Sequence, residues 1–127
     1  MEILGTGRHR VIGIVGISVF GLLVLSLLRL PNKGTSITEA KEYALQDDLW
    51  TMRSLIHGYT AEQHKRPESL HDLVVAGYMK QLPKDPFTDR RDTWIVEWSS
   101  DSATPGIVGV RSGASGKSSK GTRYTAW

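Results

Sequence analysis

The sequence predicts an α+β fold in which a single N-terminal transmembrane helix precedes a long amphipathic helix packed on a small antiparallel β-sheet. Three observations support this prediction. Residues 11–28 carry no charge, apolar residues recur at helical spacing between positions 37 and 63, and polar and apolar residues alternate from 93 to 98. A chain of 127 residues has room for one domain besides a membrane segment.

The uncharged run is long enough to cross a bilayer. It reads VIGIVGISVFGLLVLSLL, and a helix of this length extends about 27 Å, close to the thickness of the hydrocarbon core. A secretory signal peptide would show a shorter apolar core and a small-x-small cleavage site, whereas Arg29-Leu30-Pro31-Asn32 follows here. We therefore expect residues 1–10 to form an N-terminal segment, residues 11–30 a retained transmembrane helix and residues 31–36 a linker.

Three glycines in this run are candidates for helix packing within the membrane. Gly13, Gly16 and Gly21 lie where small side chains would let a neighbouring helix approach closely. Glycine is also common in transmembrane helices in general, so a packing face and a plain membrane span are both consistent with the pattern. Basic residues flank the run on both sides, and the positive-inside rule therefore does not orient it.

The long amphipathic helix has a clear beginning and a continuous apolar stripe. Ser36 and Glu39 have the spacing of a capping box, which satisfies free N–H groups at a helix start. The helix is predicted to run to about Gln63, and Pro67 ends the helical region. Its apolar residues recur at spacings of 4, 3, 4 and 3, which places them on one face. These residues are Leu45, Leu49, Met52, Ile56 and Tyr59.

The remaining elements are short. Residues 69–76 predict a second helix that Gly77 ends. Residues 93–98 predict one strand and residues 106–110 another, joined by a turn over residues 99–106. The aromatic residues expected in the core or closing onto the sheet are Trp94, Trp98, Tyr124 and Trp127.

The charge distribution argues against a nucleic-acid-binding surface. The net charge is +3, and the first 36 residues account for all of it because they hold four basic residues against Glu2. The remaining 12 bases and 12 acids balance. The chain also contains no cysteine, which excludes disulfides and thiolate metal sites.

The order of these parts resembles the major pseudopilin of bacterial type II secretion. The residues that carry the resemblance are Leu30-Pro31-Asn32 after the apolar run, Arg66-Pro67, Leu70 to Val74, and Leu82-Pro83-Lys84-Asp85-Pro86-Phe87. The resemblance implies a single-pass protein of the bacterial inner (cytoplasmic) membrane. Its N-terminus would lie in the cytoplasm, and residues 37–127 would form a pseudopilin-like periplasmic domain.

Three features depart from that family. Pseudopilins are cleaved between a glycine and a phenylalanine, but the matching position lies near His9-Arg10. They keep a glutamate in the apolar helix, but the matching position lies near Ile14. Their C-terminal loop binds calcium through aspartates, whereas Asp101 is the last acid here and residues 102–127 contain only basic charges. We therefore expect no bound metal and no cofactor.

Residues 113–121, GASGKSSKG, contain the Gly-Lys-Ser of a P-loop but not its spacing. A P-loop needs a glycine five positions before Gly116, and Arg111 stands there. The sequence therefore predicts a basic surface loop and no nucleotide binding.

Other polar clusters have simple structural explanations. The histidines at 57, 64 and 71 are evenly spaced, but Pro67 interrupts the helix between the last two. A less favoured interpretation of His9, which lies near the membrane edge, is that it would contact a cofactor held by a partner complex. The aspartates at 85, 89 and 92 suit turns. Ser112 and Ser115 lack the motifs of nucleophilic catalysis, so no catalytic residue is predicted.

These observations lead to a functional hypothesis. We expect a non-catalytic accessory subunit of a larger membrane protein complex, respiratory or photosynthetic, whose partners are other membrane subunits and the lipid bilayer. The alternative is a pseudopilin subunit of a type II secretion or type IV pilus-like filament. Trp50 falls outside the apolar stripe and is the candidate partner contact, because tryptophan is enriched at protein interfaces.

Overall fold

The computed structural model describes residues 36–127, which lie within one compact unit. The elements in chain order are α1 (Ile37–Gln63), α2 (His71–Val75), β1 (Ile95–Trp98), β2 (Ile107–Arg111) and a 3₁₀ helix (Tyr124–Ala126). β1 and β2 form a two-stranded antiparallel sheet, and α1 packs against β2. The α+β class, the long helix and the small antiparallel sheet are therefore confirmed.

The predicted N-terminal segment 1–10, the transmembrane helix 11–30 and all but the last residue of the linker 31–36 lie outside the described residues. The same is true of the packing candidates Gly13, Gly16 and Gly21. From residue 36 onward, no helix has both the length and the apolar character needed to cross a bilayer.

α1 forms where its cap and its apolar stripe predict it. The Ser36 hydroxyl accepts a hydrogen bond from the Glu39 amide at 3.1 Å, and the Glu39 carboxylate accepts one from the Ser36 amide at 2.9 Å. The helix ends at Gln63, and His64 follows in a left-handed conformation with φ 53°. Every residue of the predicted stripe is buried. The core against which the stripe packs consists of Leu70, Leu73, Trp94, Ile107, Val110, Ala114 and Tyr124.

α2 is short because its ends are fixed by local hydrogen bonds. The Asp72 carboxylate accepts from the backbone amides of Glu68 at 2.7 Å and Ser69 at 3.1 Å, which turns the chain into the helix. Leu73 is fully buried, and Gly77, with φ 84°, ends the segment in a conformation that glycine adopts without strain.

The sheet is irregular at one end. Val96 pairs with Val110 and Glu97 pairs with Gly109, but Trp98 pairs with Ile107, so β2 carries one extra residue at Val108. Such a bulge breaks the alternation of faces along the strands. The strands begin at Ile95 and Ile107, slightly later than the sequence predicted.

One of the two tryptophans that the sequence predicts in the core is exposed. Trp94 is buried as expected, and its indole N–H donates to the Pro83 carbonyl at 3.0 Å. Trp98 was predicted inside but is 60% exposed. Trp98 stays on the same face of β1 as Trp94 and Val96, because all three line one groove, but as the last residue of the strand it lies where that face is open to solvent.

Candidate functional site

The candidate partner contact Trp50 lies at the edge of a groove between α1 and the C-terminus. The groove encloses about 400 Å³ and is lined by Gln46, Leu49, Trp50, Arg53 and Trp127. We refer to it as the Trp50 groove. Trp50 is 69% exposed, as expected for a residue outside the buried stripe.

The helical repeat places the α1 side of the groove next to the core. Gln46, Trp50 and Arg53 follow one another at spacings of 4 and 3, so they share one face of α1. Leu49 belongs to the buried stripe and forms the floor. The groove is therefore built on a rigid element of the fold.

The opposite wall is Trp127, which an aromatic stack holds against the domain. Phe87 stacks on Tyr124 with ring centroids 4.1 Å apart, and Trp127 meets Tyr124 edge to face at 5.4 Å. Both arrangements are favourable for aromatic pairs. Trp127 is partly buried against the core, which confirms that the C-terminal aromatic pair closes onto the body of the domain.

Arg53 joins the α1 wall of the groove to the sheet. Its Nε and Nη2 atoms both donate to the Val110 carbonyl, at 3.1 Å and 2.8 Å. A guanidinium that uses two donors on one acceptor is held in a fixed orientation. Arg53 thus presents a positioned cation beside Trp50, although its main bonds go to β2.

Glu42, a buried carboxylate outside the motifs of the sequence, anchors the C-terminal segment next to this groove. It is 7% exposed, and its oxygens accept from the Ser119 amide and hydroxyl, both at 2.6 Å, and from the Tyr124 hydroxyl at 3.1 Å. The pKa of Glu42 is lowered, first by the hydrogen bond from the Ser119 hydroxyl, against the opposing effect of burial. The Ser119 amide, Tyr124 and the charge of Lys120 lower it further.

These bonds predict that Glu42 makes stability depend on pH. A carboxyl whose pKa is lowered in the folded state stabilises the protein at pH values above its ordinary pKa of 4.5. This stabilisation is lost as the pH falls through the lowered pKa. We expect Glu42→Gln to lower the unfolding midpoint in urea at neutral pH and to reduce the loss of stability between neutral pH and about pH 3. The full chain in mild detergent can be unfolded at each pH and followed by tryptophan fluorescence.

Glu68→Gln is the matched control, because Glu68 is exposed and no acceptor bond to its carboxylate occurs in the described part of the chain. It should retain the wild-type dependence on pH. The prediction is contradicted if Glu42→Gln and Glu68→Gln give parallel curves.

The GASGKSSKG stretch is neither a P-loop nor simply a surface loop. After Lys117 the chain makes a tight turn, in which the Ser118 amide donates to the Thr122 carbonyl at 2.7 Å, and the 3₁₀ helix follows. A P-loop would lead into a helix N-terminus directly after the lysine. Ser118 is buried and Ser119 is bonded to Glu42, so the loop is attached to α1 at its centre.

The predicted polar clusters are not brought together. The histidines at 57, 64 and 71 are all exposed. Asp85 is fully buried and accepts from Ser112, whereas Asp92 pairs with Arg90 on the surface. Among the described residues, no three histidine, cysteine or acidic side chains are grouped so as to hold a metal ion. His9 lies outside the described residues.

A second groove lies just beyond the C-terminal end of α1. It encloses about 600 Å³ and is lined by Trp98 together with residues 64–66, Glu68 and 103–106. Arg66 fixes this region because its Nη1 donates to the Ser99 hydroxyl at 2.9 Å and to Thr104. Exposed tryptophans therefore border both grooves.

The two grooves offer aromatic surface and fixed cations, the features that protein interfaces use. The sequence could have indicated Glu42, since it continues the apolar stripe three residues before Leu45, but only the fold shows its partner. Comparison with protein-family models, with curated protein sequences and with solved structures finds no match to this chain.

Proposed function

We propose that this chain is a non-catalytic, single-span membrane protein that serves as an accessory subunit of a larger membrane protein complex, respiratory or photosynthetic. The observation that carries the proposal is Trp50, a tryptophan 69% exposed at the edge of a preformed groove. A large aromatic side chain gains free energy when a partner covers it, and tryptophan dominates binding energy at many interfaces.

Tyr43 extends this surface along α1. It is also 69% exposed, and it lies seven residues before Trp50, which is about two helical turns on the same face. The two aromatic residues and the Trp50 groove form a continuous surface beside the C-terminus. A partner helix or loop that covers this surface would bury both rings.

The membrane anchor in this proposal rests on the sequence. Residues 11–28 are uncharged and of bilayer length, and the pseudopilin resemblance implies that residues 37–127 would lie in the periplasm. The same run contains no acidic residue with which a neighbouring subunit's N-terminus could pair. This favours a permanent accessory role over filament assembly.

A pseudopilin-like filament subunit is the second candidate. The observation in its favour is the arrangement of a long helix over a small antiparallel sheet, with the Leu82–Phe87 connector tied to the loop after β2 through Asp85 and Ser112. A domain with this arrangement would be compatible with subunits that pack through their long helices.

Purification of the tagged full chain in mild detergent tests these alternatives. We expect haem- or pigment-bearing membrane subunits to copurify with it. A secretin or other filament components would overturn the accessory role and support the alternative. Mass spectrometry that finds the chain trimmed ahead of its apolar run would also contradict the proposal.

Trp50→Ala should weaken the association with the copurifying partner about 30-fold or more, as truncation of a buried aromatic anchor does. The fold should be unaffected because the side chain is exposed. The variant and the wild type can be compared by titrating tagged chain against the isolated partner complex.

Val75→Ala is the matched control, because Val75 is 74% exposed on α2 and lines neither groove. It should bind like the wild type. Equal binding by the Trp50 variant would remove the Trp50 groove as the docking surface.

A further inference from the structure

The loop of residues 117–123 carries exposed basic side chains and is attached to α1 at its centre. Lys117, Lys120 and Arg123 are all exposed, whereas Ser118 between them is buried. The Ser119 amide and hydroxyl hold the loop to Glu42, and the Gly121 amide donates to the Ser118 carbonyl at 2.9 Å. The loop is therefore fixed at its centre while its cations face solvent.

The charge of this loop is not balanced by ion pairs. In residues 36–127, ion pairs join Lys84 to Asp89, Arg90 to Asp92 and Arg111 to Glu97, and none includes a cation of the loop. No acidic residue follows Asp101 in the sequence.

Three more groups belong to the surroundings of the loop. Lys41 adds a further cation near Phe87, which itself stacks on Tyr124. Glu42 lies buried beneath the loop, and Glu39 bonds back to the Ser36 amide. Lys41 and the three cations of the loop outnumber the carboxylates of Glu39 and Glu42, so the surroundings of the loop carry a net positive charge.

The loop lies near the beginning of α1, the end that the chain connects to the apolar run. Glu42 is six residues into the helix, about 9 Å along its axis. Seven residues, 29–35, separate the apolar run from Ser36, and a stretch of this length spans at most about 25 Å. The loop therefore lies at the end of α1 that follows the apolar run in the sequence.

We propose that the loop 117–123 binds the headgroups of anionic phospholipids in the bilayer in which the chain is anchored. This inference rests on the membrane anchorage in the proposed function. Lysine and arginine close to an anionic membrane each strengthen attachment about fivefold. The loop, KSSKGTR, has no apolar side chain to supply the buried core of a protein interface, from which lysine is also depleted. A lipid surface fits this chemistry better than an acidic protein.

The test uses the full chain in lipid nanodiscs, taking advantage of the absence of native cysteine. Thr122→Cys places one fluorophore in the loop, and Ala103→Cys places it in the distant turn between the strands. Each is measured with a headgroup-attached quencher in phosphatidylcholine discs with and without phosphatidylglycerol. We expect severalfold stronger quenching at position 122 in the anionic discs, lost at high salt, and no change at position 103.

Charge reversal provides the second arm. Lys117→Glu, Lys120→Glu and Arg123→Glu together should abolish the effect of phosphatidylglycerol on position 122. If the chain inserts in the discs but quenching at position 122 is the same with and without phosphatidylglycerol, the lipid inference is overturned and the membrane anchor is not. A response to soluble polyglutamate but not to lipid would assign the loop to an acidic protein instead. A chain that does not insert at all overturns the anchor and this inference together.

Discussion

Gly113→Ala should be among the most destabilising single substitutions in the domain, at about 3 kcal/mol. Gly113 follows β2, and a Cβ at this position would overlap the Thr93 carbonyl oxygen and lie 3.0 Å from its carbon. The obstacle is backbone and cannot rotate away. Thr93 also precedes the buried Trp94, whose indole is bonded to Pro83, so the segment cannot move without disturbing the core.

Gly58→Ala is the matched control for this substitution. Gly58 lies within α1, and the nearest atom to its added Cβ would be Tyr78 Cε1 at 3.9 Å, an ordinary contact. Alanine favours helix over glycine by about 1 kcal/mol, so this variant should be more stable than the wild type. Urea unfolding of the full chain in mild detergent measures both. Equal shifts for the two variants would show that the close approach of Gly113 to Thr93 is not a stability determinant.

The long helix could be predicted from sequence because its determinants are local. The capping box lies within the four residues from Ser36 to Glu39, and the stripe from Leu45 to Tyr59 repeats with the helical period. Both features survive in the fold without change, since the buried stripe meets Ile107 and Val110 of the sheet. Local signals of this kind agree with the tertiary packing, which makes them dependable.

The sheet was predicted less well because strand register is a property of two segments. Alternation assigned Trp98 to the core, and Trp98 does share the face of Trp94 and Val96, but it is the last residue of β1 and is 60% exposed. The extra residue at Val108 in β2 cannot be recognised from the sequence pattern of one strand either. The position of Trp50, by contrast, followed from helical geometry alone, and the structure adds Trp127 and Arg53 as its neighbours.

The candidate site depends on contacts between distant parts of the chain. Glu42 and Ser119 are 77 residues apart, and neither residue type indicates its partner. The GASGKSSKG loop therefore looked like an ordinary polar surface segment. Once Glu42 is recognised as a buried acceptor on the stripe of α1, a donor-rich loop without acids becomes its natural complement.

Asp85→Ala should also destabilise the domain strongly, by about 3 kcal/mol, because it leaves buried donors without an acceptor. Asp85 is fully buried in the connector before β1. One oxygen accepts from the Phe87 amide at 2.8 Å, and the other accepts from the Ser112 hydroxyl at 2.5 Å. The first bond shapes the turn, and the second ties this turn to the segment after β2.

Asp92→Ala is the exposed control, since Asp92 pairs with Arg90 where both side chains are about two-thirds exposed, at 65% and 64%. Its effect on unfolding should stay within about 0.5 kcal/mol. Comparison of the two aspartates separates the role of burial from that of charge.

A double-mutant cycle with Ser112→Ala isolates the hydrogen bond between Asp85, in the connector before β1, and Ser112, in the segment after β2. Ser112 is itself fully buried, and its hydroxyl also accepts from the Ala114 amide at 3.0 Å. Once Ser112 lacks its hydroxyl, Asp85→Ala should cost at least about 1 kcal/mol less than in the wild type, because the two residues share one hydrogen bond. Additive effects would mean that Asp85 acts only on its own turn.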